Sequence, residues 1–415
     1  MFTKPHPSLF ILSGLAAIVY IIVFLNLNST VSNEIAFSTP DALTYQNVAN
    51  WLSQGIDSES ISIRPILYPL ILLIATKLGG VYVIWGIQVI FWFLSILFTF
   101  LSIKQLTKSY IFAYLGAFII MSNLSLIALT LHALTELTTI FLLSTMLFFL
   151  VKKIEQYRNL PFFHTFLFFL VLLSILKPIF SIPLYCVLFI ALPLFYLKKY
   201  FKNPKKIFTL ILIILPLLIQ LSIIKTKYNQ TKISLIGSTT FTNYFVAQGI
   251  QKIESINWND AVKKANSFSK EQQLNYIYKQ LDFYSYLFKK NITDNITGKA
   301  TFLLHPKGFE NYQLAKFMKS YNTITLKIHF VFFFLVIPLI LIFLKKKNYS
   351  ILILLLFFYT LGAYYIIATG ISFFQGDRLT LPAISIWACI YPFILSSYRK
   401  LLYSTKHTTI QHLNH

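Results

Sequence analysis

The chain has 415 residues, of which 56% are hydrophobic and only 12% are charged. Apolar runs of roughly 15 to 20 residues recur along it, and a water-soluble domain cannot bury that much continuous apolar sequence. The formal net charge of +23 suggests a nucleic-acid partner, but the basic residues are mostly lysines that follow apolar runs. Orientation by positive cytoplasmic loops explains that placement, so we expect an all-α polytopic membrane protein with no nucleic-acid partner.

The first apolar run, 9–27, is too long for the core of a signal peptide, and we interpret it as a retained anchor. Nine further runs bring the prediction to about ten transmembrane helices. These predicted spans are 81–103, 111–129, 137–151, 162–176, 179–197, 207–224, 326–344, 351–369 and 379–396.

The apolar run 65–78 decides the predicted topology, because it is shorter than the roughly 20 residues that cross a bilayer. If it does not cross, the lysine clusters between spans, including 198–206 and 345–347, all face the cytoplasm. If it crosses, they all face outward. The positive-inside rule favours the first arrangement, with both termini in the cytoplasm and a bacterial inner (cell) membrane as the expected location.

Three predicted parts follow from these spans. The N-terminal membrane module, 1–224, contains a first external loop, 28–80, in which polar residues gather beside lipid. A polar insert, 225–325, is predicted to lie outside the cytoplasm, and the last part, 326–415, carries three spans. Aromatic residues among lysines at 274–287 predict a lid or an acceptor-docking element within the insert.

The first external loop carries an acid and a base within a short stretch. Thr39 is placed to cap a helix over 41–52, in which Asp41 occupies the first turn. Its apolar and aromatic positions recur on one face, which is typical of a helix lying on a bilayer surface. These positions are Ala42, Tyr45, Val48, Ala49 and Leu52. Arg64 then precedes the apolar run, so Asp41 and Arg64 are predicted to form a reaction centre.

Other ionisable residues lie at the predicted outer ends of spans, where each needs a partner or a function because charge near hydrocarbon is costly. They are His132, Glu136, Lys177, Asp377 and Arg378. We expect Asp377 to pair locally with Arg378. With the first external loop, one predicted side thus carries three bases, Arg64, Lys177 and Arg378, and three acids, Asp41, Glu136 and Asp377. This grouping suggests a site for a phosphate-bearing lipid.

The order of these motifs resembles the GT-C membrane glycosyltransferases, above all the protein O-mannosyltransferase and aminoarabinose-transferase branch. The resemblance rests on a first span, the Asp-x-x-x-Tyr helix with Asp41 and Tyr45, and Arg-Pro-x-x-Tyr-Pro over 64–69. It covers roughly residues 9–195 and beyond them rests on Arg378. Ile63 and Ile66 stand where that branch carries Glu and a second Pro, which leaves the donor sugar open.

The resemblance implies a GT-C-like fold and transfer of a sugar from a polyprenyl-phosphate donor to an unidentified acceptor, which is a protein, a lipid or a glycan. Asp41 is the expected base for the acceptor hydroxyl, and Glu136 is expected to orient the acceptor or to support a divalent metal. Arg64, Lys177 and Arg378 are expected to bind the donor phosphate. Tyr45, Tyr68 and His132 are further candidates for substrate contact. No metal-ligand motif or phosphate-cradling glycine loop occurs, so a lipid-linked donor is favoured over a nucleotide sugar.

Two other classes of function stay open at this point. One is a transporter or flippase for lipid-linked saccharides, although the internal repeats typical of many transporters are not evident. The other is a polymerase or ligase of surface polysaccharides, which also combines many spans with a large external loop. The sequons at Asn291 and Asn295 are interpreted as chance in an asparagine-rich chain.

Overall fold

The computed structural model describes residues 7–27, 29–202, 205–297, 312–373 and 376–413. The structure does not describe residues 298–311 of the predicted insert or residues 203–204 of one lysine cluster. It also does not describe residues 1–6 of the predicted N-terminal module or residues 414–415 of the predicted last part. Across the described ranges the chain is helical and contains no β-strand.

The α-helices of the membrane module come first. They are α1 Pro7–Asn26, α2 Asn33–Ala36, α3 Pro40–Gln54, α4 Ser60–Ile63, α5 Leu67–Gly79, α6 Val81–Thr107, α7 Tyr110–Met121, α8 Leu124–Leu129, α9 Glu136–Lys152, α10 Leu160–Leu176, α11 Ser181–Cys186, α12 Leu197–Phe201 and α13 Lys205–Tyr228. The insert and the last part contain α14 Ile236–Thr240, α15 Ala247–Glu254, α16 Trp258–Ser267, α17 Lys270–Lys279, α18 Leu281–Thr297, α19 Tyr312–Lys345, α20 Tyr349–Ala368 and α21 Ile384–Leu413.

Short 3₁₀ and π segments connect several of these helices. The 3₁₀ turns are Ile154–Gln156, Pro178–Phe180, Thr369–Ile371, Gly376–Leu379 and Leu381–Ala383, and the π-helical segments are Val187–Tyr196 and Phe241–Val246. The predicted part boundaries after residues 224 and 325 fall inside α13 and α19, and they stay predictions.

Seven helical segments of the described chain are long and apolar enough to cross a membrane. They are Pro7–Asn26, Val81–Thr107, Pro178–Phe201, Lys205–Tyr228, Lys316–Lys345, Tyr349–Ile371 and Leu381–Leu402. The helices α5, α7 and α10 are apolar but shorter. An all-α, multi-pass membrane protein is therefore confirmed, whereas the number of ten spans and the GT-C-like topology stay predictions.

The predicted span 111–129 is divided into two helices. The helix α7 ends at Met121, and Asn123 adopts an extended backbone before α8 begins. The Ser122 hydroxyl bonds the Ile119 carbonyl at 3.3 Å, one of the local contacts with which serine competes against a continuing helix. The chain therefore turns inside the bundle, and α8 is buried along its length.

The core of the membrane module is built around α6, which packs along α9 and against α7, while α21 crosses all three. Stacked rings of Phe91 and Phe141, 4.5 Å apart, join α6 to α9. A side-chain carbon added at Gly116 of α7 would lie 2.5 Å from the Ala388 carbonyl of α21. Glycine is therefore needed for this close helix contact, as is common between membrane helices.

The helix predicted in the first external loop is present with its cap, but its apolar face packs on protein rather than on a bilayer surface. The Thr39 hydroxyl accepts a hydrogen bond from the Ala42 amide at 3.1 Å, and Pro40 occupies the first turn of α3. Four of the five predicted apolar positions of α3 are buried, and Leu52 is half-buried. The buried face packs on α5, and Gly80, at a φ of 65°, turns the chain from α5 into α6.

The insert is a small helical unit that reaches back to the membrane module. The helices α15 and α16 share a core with residues such as Val246, Ile250 and Ala261. The predicted aromatic stretch 274–287 divides between two environments: Tyr276 and Tyr284 pack inward, whereas other side chains are exposed. These exposed side chains are Leu274, Tyr278, Leu281 and Tyr286. The helix α18 contacts the turns Thr369–Ile371 and Gly376–Leu379.

Candidate functional site

Asp41 lies between two arginines at the start of α3. Its Oδ1 accepts a hydrogen bond from Arg64 Nη2, and its Oδ2 lies 2.5 Å from Arg378 Nη2. Burial by itself would raise the pKa of Asp41, but Arg378 and Arg64 together hold that pKa well below its usual range. The carboxylate is therefore ionised and fully engaged by cations.

Arg64 is held against one face of α3. Its Nε donates to the Thr44 hydroxyl at 2.8 Å, and its Nη1 donates to the Tyr45 hydroxyl at 3.4 Å. The guanidinium carbon also lies 4.6 Å from the centre of the Tyr45 ring. Asp41, Thr44 and Tyr45 share that face because helix positions three and four apart are neighbours. The predicted pairing of acid and base in the first external loop is thus present as a fixed contact.

Glu136 begins α9 and is the second carboxylate of the cluster. Only 1% of its side chain is exposed, and its Oε1 accepts from Arg378 Nε at 2.9 Å and from Lys177 Nζ at 3.1 Å. Its Oε2 is buried and has no hydrogen-bond partner among the residues that the structure describes. One acceptor oxygen of this buried carboxylate is therefore left for a ligand or a water molecule.

Arg378 bridges the two carboxylates, so five charged residues form one continuous network. It runs in the order Arg64, Asp41, Arg378, Glu136 and Lys177. We call these five residues the charged cluster. They include three cations and two anions, which leaves one formal positive charge at the centre of a mostly buried site. All five were singled out in the sequence, and the fold brings them together from loops and helix ends.

The three residues predicted to contact substrate are buried beside the cluster. The exposed fractions are 3% for Tyr45, 1% for Tyr68 and 0% for His132. Tyr45 and Tyr68 pack edge to face with ring centres 5.1 Å apart, and Gln88 donates to the Tyr68 hydroxyl at 2.8 Å. Burial lowers the pKa of His132 to about 3, which keeps its imidazole neutral. In this structure these side chains form the wall that supports the cluster.

The predicted local pair between Asp377 and Arg378 is not a side-chain ion pair, because the Arg378 guanidinium bonds Asp41 and Glu136 and only its backbone amide interacts with Asp377. Asp377 Oδ2 instead accepts hydrogen bonds from the Ser125 hydroxyl at 2.7 Å and from the Asn322 amide at 3.0 Å. Adjacent residues of a helical turn project in different directions, so Arg378 reaches the cluster while Asp377 faces α8 and α19. Burial among these neutral partners raises the pKa of Asp377 to about 6.

Several supporting residues were not identified from the sequence. Gln88 donates to the carbonyl of Leu134 at 2.9 Å as well as to Tyr68, and it thereby fixes the chain just before Glu136. Ser125 and Asn322 hold Asp377. The available signal was the presence of polar side chains within apolar runs, because a buried amide or hydroxyl needs a partner.

Two asparagines of the insert hold the backbone that leads to Arg378. Asn291 donates to the Gly370 carbonyl at 3.1 Å, and Asn295 donates to the carbonyls of Thr369 and Ser372 at 3.0 and 2.9 Å. Both side chains are almost fully buried. They therefore serve as structural links between α18 and the membrane module, and their amides are closed to a glycosylating enzyme.

The charged cluster does not fit a divalent metal. Within the described residues, no group of three or more His, Cys, Asp or Glu side chains could hold an ion. The two carboxylates of the cluster are separated by the Arg378 guanidinium, which a metal cation would meet as a like charge.

No family model, curated protein or solved structure matches this chain.

Proposed function

We propose that this chain is a membrane glycosyltransferase of the GT-C type, which transfers a sugar from a polyprenyl-phosphate donor to an acceptor on the extracytoplasmic face. The observation that supports it is the charged cluster. A phosphate leaving group needs fixed cations, an acceptor hydroxyl needs a carboxylate, and a lipid-linked donor needs both beside the membrane. The cluster offers all three features in one partly accessible place.

The donor phosphate would bind to the two arginines. Arg64 and Arg378 present planar guanidinium groups, which form paired, charge-assisted hydrogen bonds with phosphate oxygens. Without a donor, both are held by Asp41. An incoming phosphate therefore competes with the Asp41 carboxylate for the same two partners, and the surplus positive charge of the cluster favours its entry.

This competition links donor binding to activation of the base. While two arginines bind it, the Asp41 carboxylate is too weak a base for efficient general-base catalysis, because its pKa lies far below its usual range. When the guanidinium groups turn to the phosphate, the pKa of Asp41 rises and the carboxylate can accept a proton. The base is thus active only when a donor is present.

The transfer step exchanges one bond to the anomeric carbon for another. The acceptor oxygen forms a bond to the anomeric carbon of the sugar while its proton passes to Asp41. The bond between that carbon and the phosphate oxygen breaks, and the polyprenyl phosphate leaves with the electron pair. Arg64 and Arg378 stabilise the negative charge that develops on the leaving oxygen.

Glu136 and Lys177 complete the site in different ways. Glu136 holds Arg378 and Lys177 through a single oxygen, so its second oxygen can orient the acceptor hydroxyl. Lys177 is the most exposed cation of the cluster, at 17%, and it can follow the leaving phosphate as a mobile point charge.

Lipid analysis provides the first test. Protein purified in mild detergent should retain a polyprenyl-phosphate sugar that mass spectrometry identifies, and Arg64→Ala with Arg378→Gln should lose it. In liposomes, the wild type should transfer the labelled sugar to an acceptor from a membrane extract. Movement of the donor across the bilayer without any transfer would instead favour a flippase.

The orientation of the site is tested separately. Cysteine introduced at Asp260 should react with an impermeant reagent in intact cells, whereas cysteine at Lys347 should not. The reverse pattern would place the charged cluster on the cytoplasmic face and contradict an extracytoplasmic reaction.

A further inference from the structure

A second candidate site lies at the other end of the helices that carry the charged cluster. The helices α9 and α10 each have 17 residues, about 25 Å of helix. Glu136 begins α9 and Lys177 follows α10, whereas Leu150 and Phe162 lie at their opposite ends and line a cavity of about 610 Å³. The cavity is therefore about one membrane thickness away from the cluster and is not part of it.

The walls of this cavity are apolar and include an unusual helix. Phe162, Phe163 and Phe166 come from α10, and Phe357 comes from α20. The opposite wall includes Ala191 from the π-helical segment Val187–Tyr196. π-Helical geometry is rare in proteins, and where it occurs as a short bulge it often marks a functional site. The volume falls within the range of about 300–1,000 Å³ that is common for ligand pockets.

The rim of the cavity is basic. Arg158 and Lys199 both line it, and each is held by neighbouring groups. Arg158 Nε donates to the Tyr157 hydroxyl at 2.9 Å, and Lys199 Nζ donates to the Arg158 carbonyl. Tyr196 also donates to the Tyr157 carbonyl, at 2.7 Å, which joins the two sides of the rim. These contacts fix two cations at the mouth of an apolar cavity.

No acid neutralises these two cations in the part of the chain that the structure describes. The ion pairs there involve neither Arg158 nor Lys199, and the adjacent Glu155 is exposed without joining one. Guanidinium has five N–H donors and ammonium has three, and each group uses only one in the contacts above. Most of the donors at the rim are therefore left for an anion.

We propose that this cavity binds an anionic phospholipid, with one acyl chain between α10, the π-helical segment and α20, and with the phosphate at Arg158 and Lys199. Basic pockets between membrane helices recognise anionic head groups, because charge attraction adds to burial of the chain. The lipid belongs to the leaflet opposite the charged cluster. The site is independent of the glycosyl transfer proposed above and would survive its refutation.

Native mass spectrometry with defined lipids tests the site. Delipidated wild type should bind phosphatidylglycerol about tenfold or more tightly than phosphatidylcholine, since each basic group contributes to the preference. Arg158→Gln with Lys199→Gln should abolish the preference. Ala191→Phe should weaken binding of both lipids, because it fills the space of the chain. The matched control, Lys345→Gln with Lys346→Gln, removes two charges at the same end and should behave as the wild type.

Two results would overturn the proposal. One is equal binding of the two lipids by the wild type, which would mean that the cavity holds ordinary bilayer lipid. The other is a phosphatidylglycerol preference that persists in the Arg158→Gln, Lys199→Gln protein. Both results are readable if Ala191→Phe fails to fold, since Arg158 and Lys199 lie at the exposed rim.

Discussion

The two ends of the membrane bundle use positive charge in opposite ways. At one end, Arg64, Arg378 and Lys177 are largely buried, and each is paired with a carboxylate. At the other end, Arg158 and Lys199 lie at an exposed rim without an ion pair among the described residues. Buried charge demands partners and fixed geometry, whereas exposed charge is free to meet a ligand. The first arrangement suits catalysis, and the second suits orientation in the membrane and lipid binding.

The largest effect is expected from removing the cation that bridges both carboxylates. Arg378→Gln removes the positive charge that lies between the Asp41 and Glu136 carboxylates. Loss of one partner from a buried ion pair typically costs about 3–5 kcal/mol of folding stability. Thermal melting in detergent should show a large decrease in stability. Arg158→Gln at the opposite end is the matched control and should melt as the wild type does. Equal melting of both variants would contradict the contrast between the two ends.

Asp41→Asn tests the chemistry of the cluster. It preserves the size of the side chain but removes its basicity, so turnover should fall by about 10²-fold or more while the donor lipid is retained. Asp57 provides a control, because it is an exposed acid of the same loop that pairs with Lys227. Asp57→Asn should leave turnover unchanged. Normal glycosyl transfer by Asp41→Asn protein would remove this residue as the base.

Arg64→Lys tests the geometry of a cation while keeping its charge. Lysine cannot donate at once to Asp41, Thr44 and Tyr45, so we expect about tenfold weaker donor retention as well as slower transfer. Lys227→Arg is the control, since Lys227 pairs with Asp57 outside the charged cluster, and it should leave donor retention and transfer unchanged. If the two residues act on one bound donor, Asp41→Asn and Arg64→Lys should have non-additive effects on turnover.

The smallest effect concerns Asp377, whose pKa rises from 3.8 to about 6 on burial. A raised pKa means that the folded state binds the proton more readily than the unfolded chain. This contribution to stability is full below pH 3.8 and is lost as the pH rises through 6. Between pH 7.5 and 5.5 it amounts to about 1 kcal/mol.

Melting at these two pH values compares the wild type with Asp377→Asn. The wild type should gain stability on acidification relative to the variant, in which the group cannot titrate. His132 works in the opposite direction in both proteins, because its pKa is lowered to about 3 and its stabilisation is lost as the pH falls below 6.5. The same pH dependence in both proteins would show that Asp377 is not buried among neutral partners.

Local sequence rules predicted the first external loop well. The Thr39 cap, the buried face of α3 and the nearness of Asp41 to Arg64 follow from spacing within 26 residues of sequence, 39–64. The all-α membrane class followed from the length of the apolar runs. Such features depend on neighbours in the chain, which a sequence displays directly.

These local rules could not predict contacts between residues that are far apart in the sequence. Spacing cannot show that Arg378 bonds Glu136, 242 positions away, or that Asp377 turns from its neighbour towards Ser125. The turn at Asn123 was also missed, because one span was predicted straight through Ser122 and Asn123, the two polar residues between α7 and α8. The sequence does show which charged residues lie near predicted spans, where charge has a high free-energy cost. That criterion selected all five residues of the cluster.

The bond between Arg378 and Glu136 also sets an order of assembly. Synthesis proceeds from the N-terminus, so α9 is made long before the ribosome reaches residue 378. Until the last helices insert, Glu136 has only Lys177 and Asp41 has only Arg64 as a partner in the cluster. The arginine that bridges the two carboxylates is therefore the last residue of the charged cluster to be synthesised. A chain that stops short of Arg378 would leave Asp41 and Glu136 with one cation each.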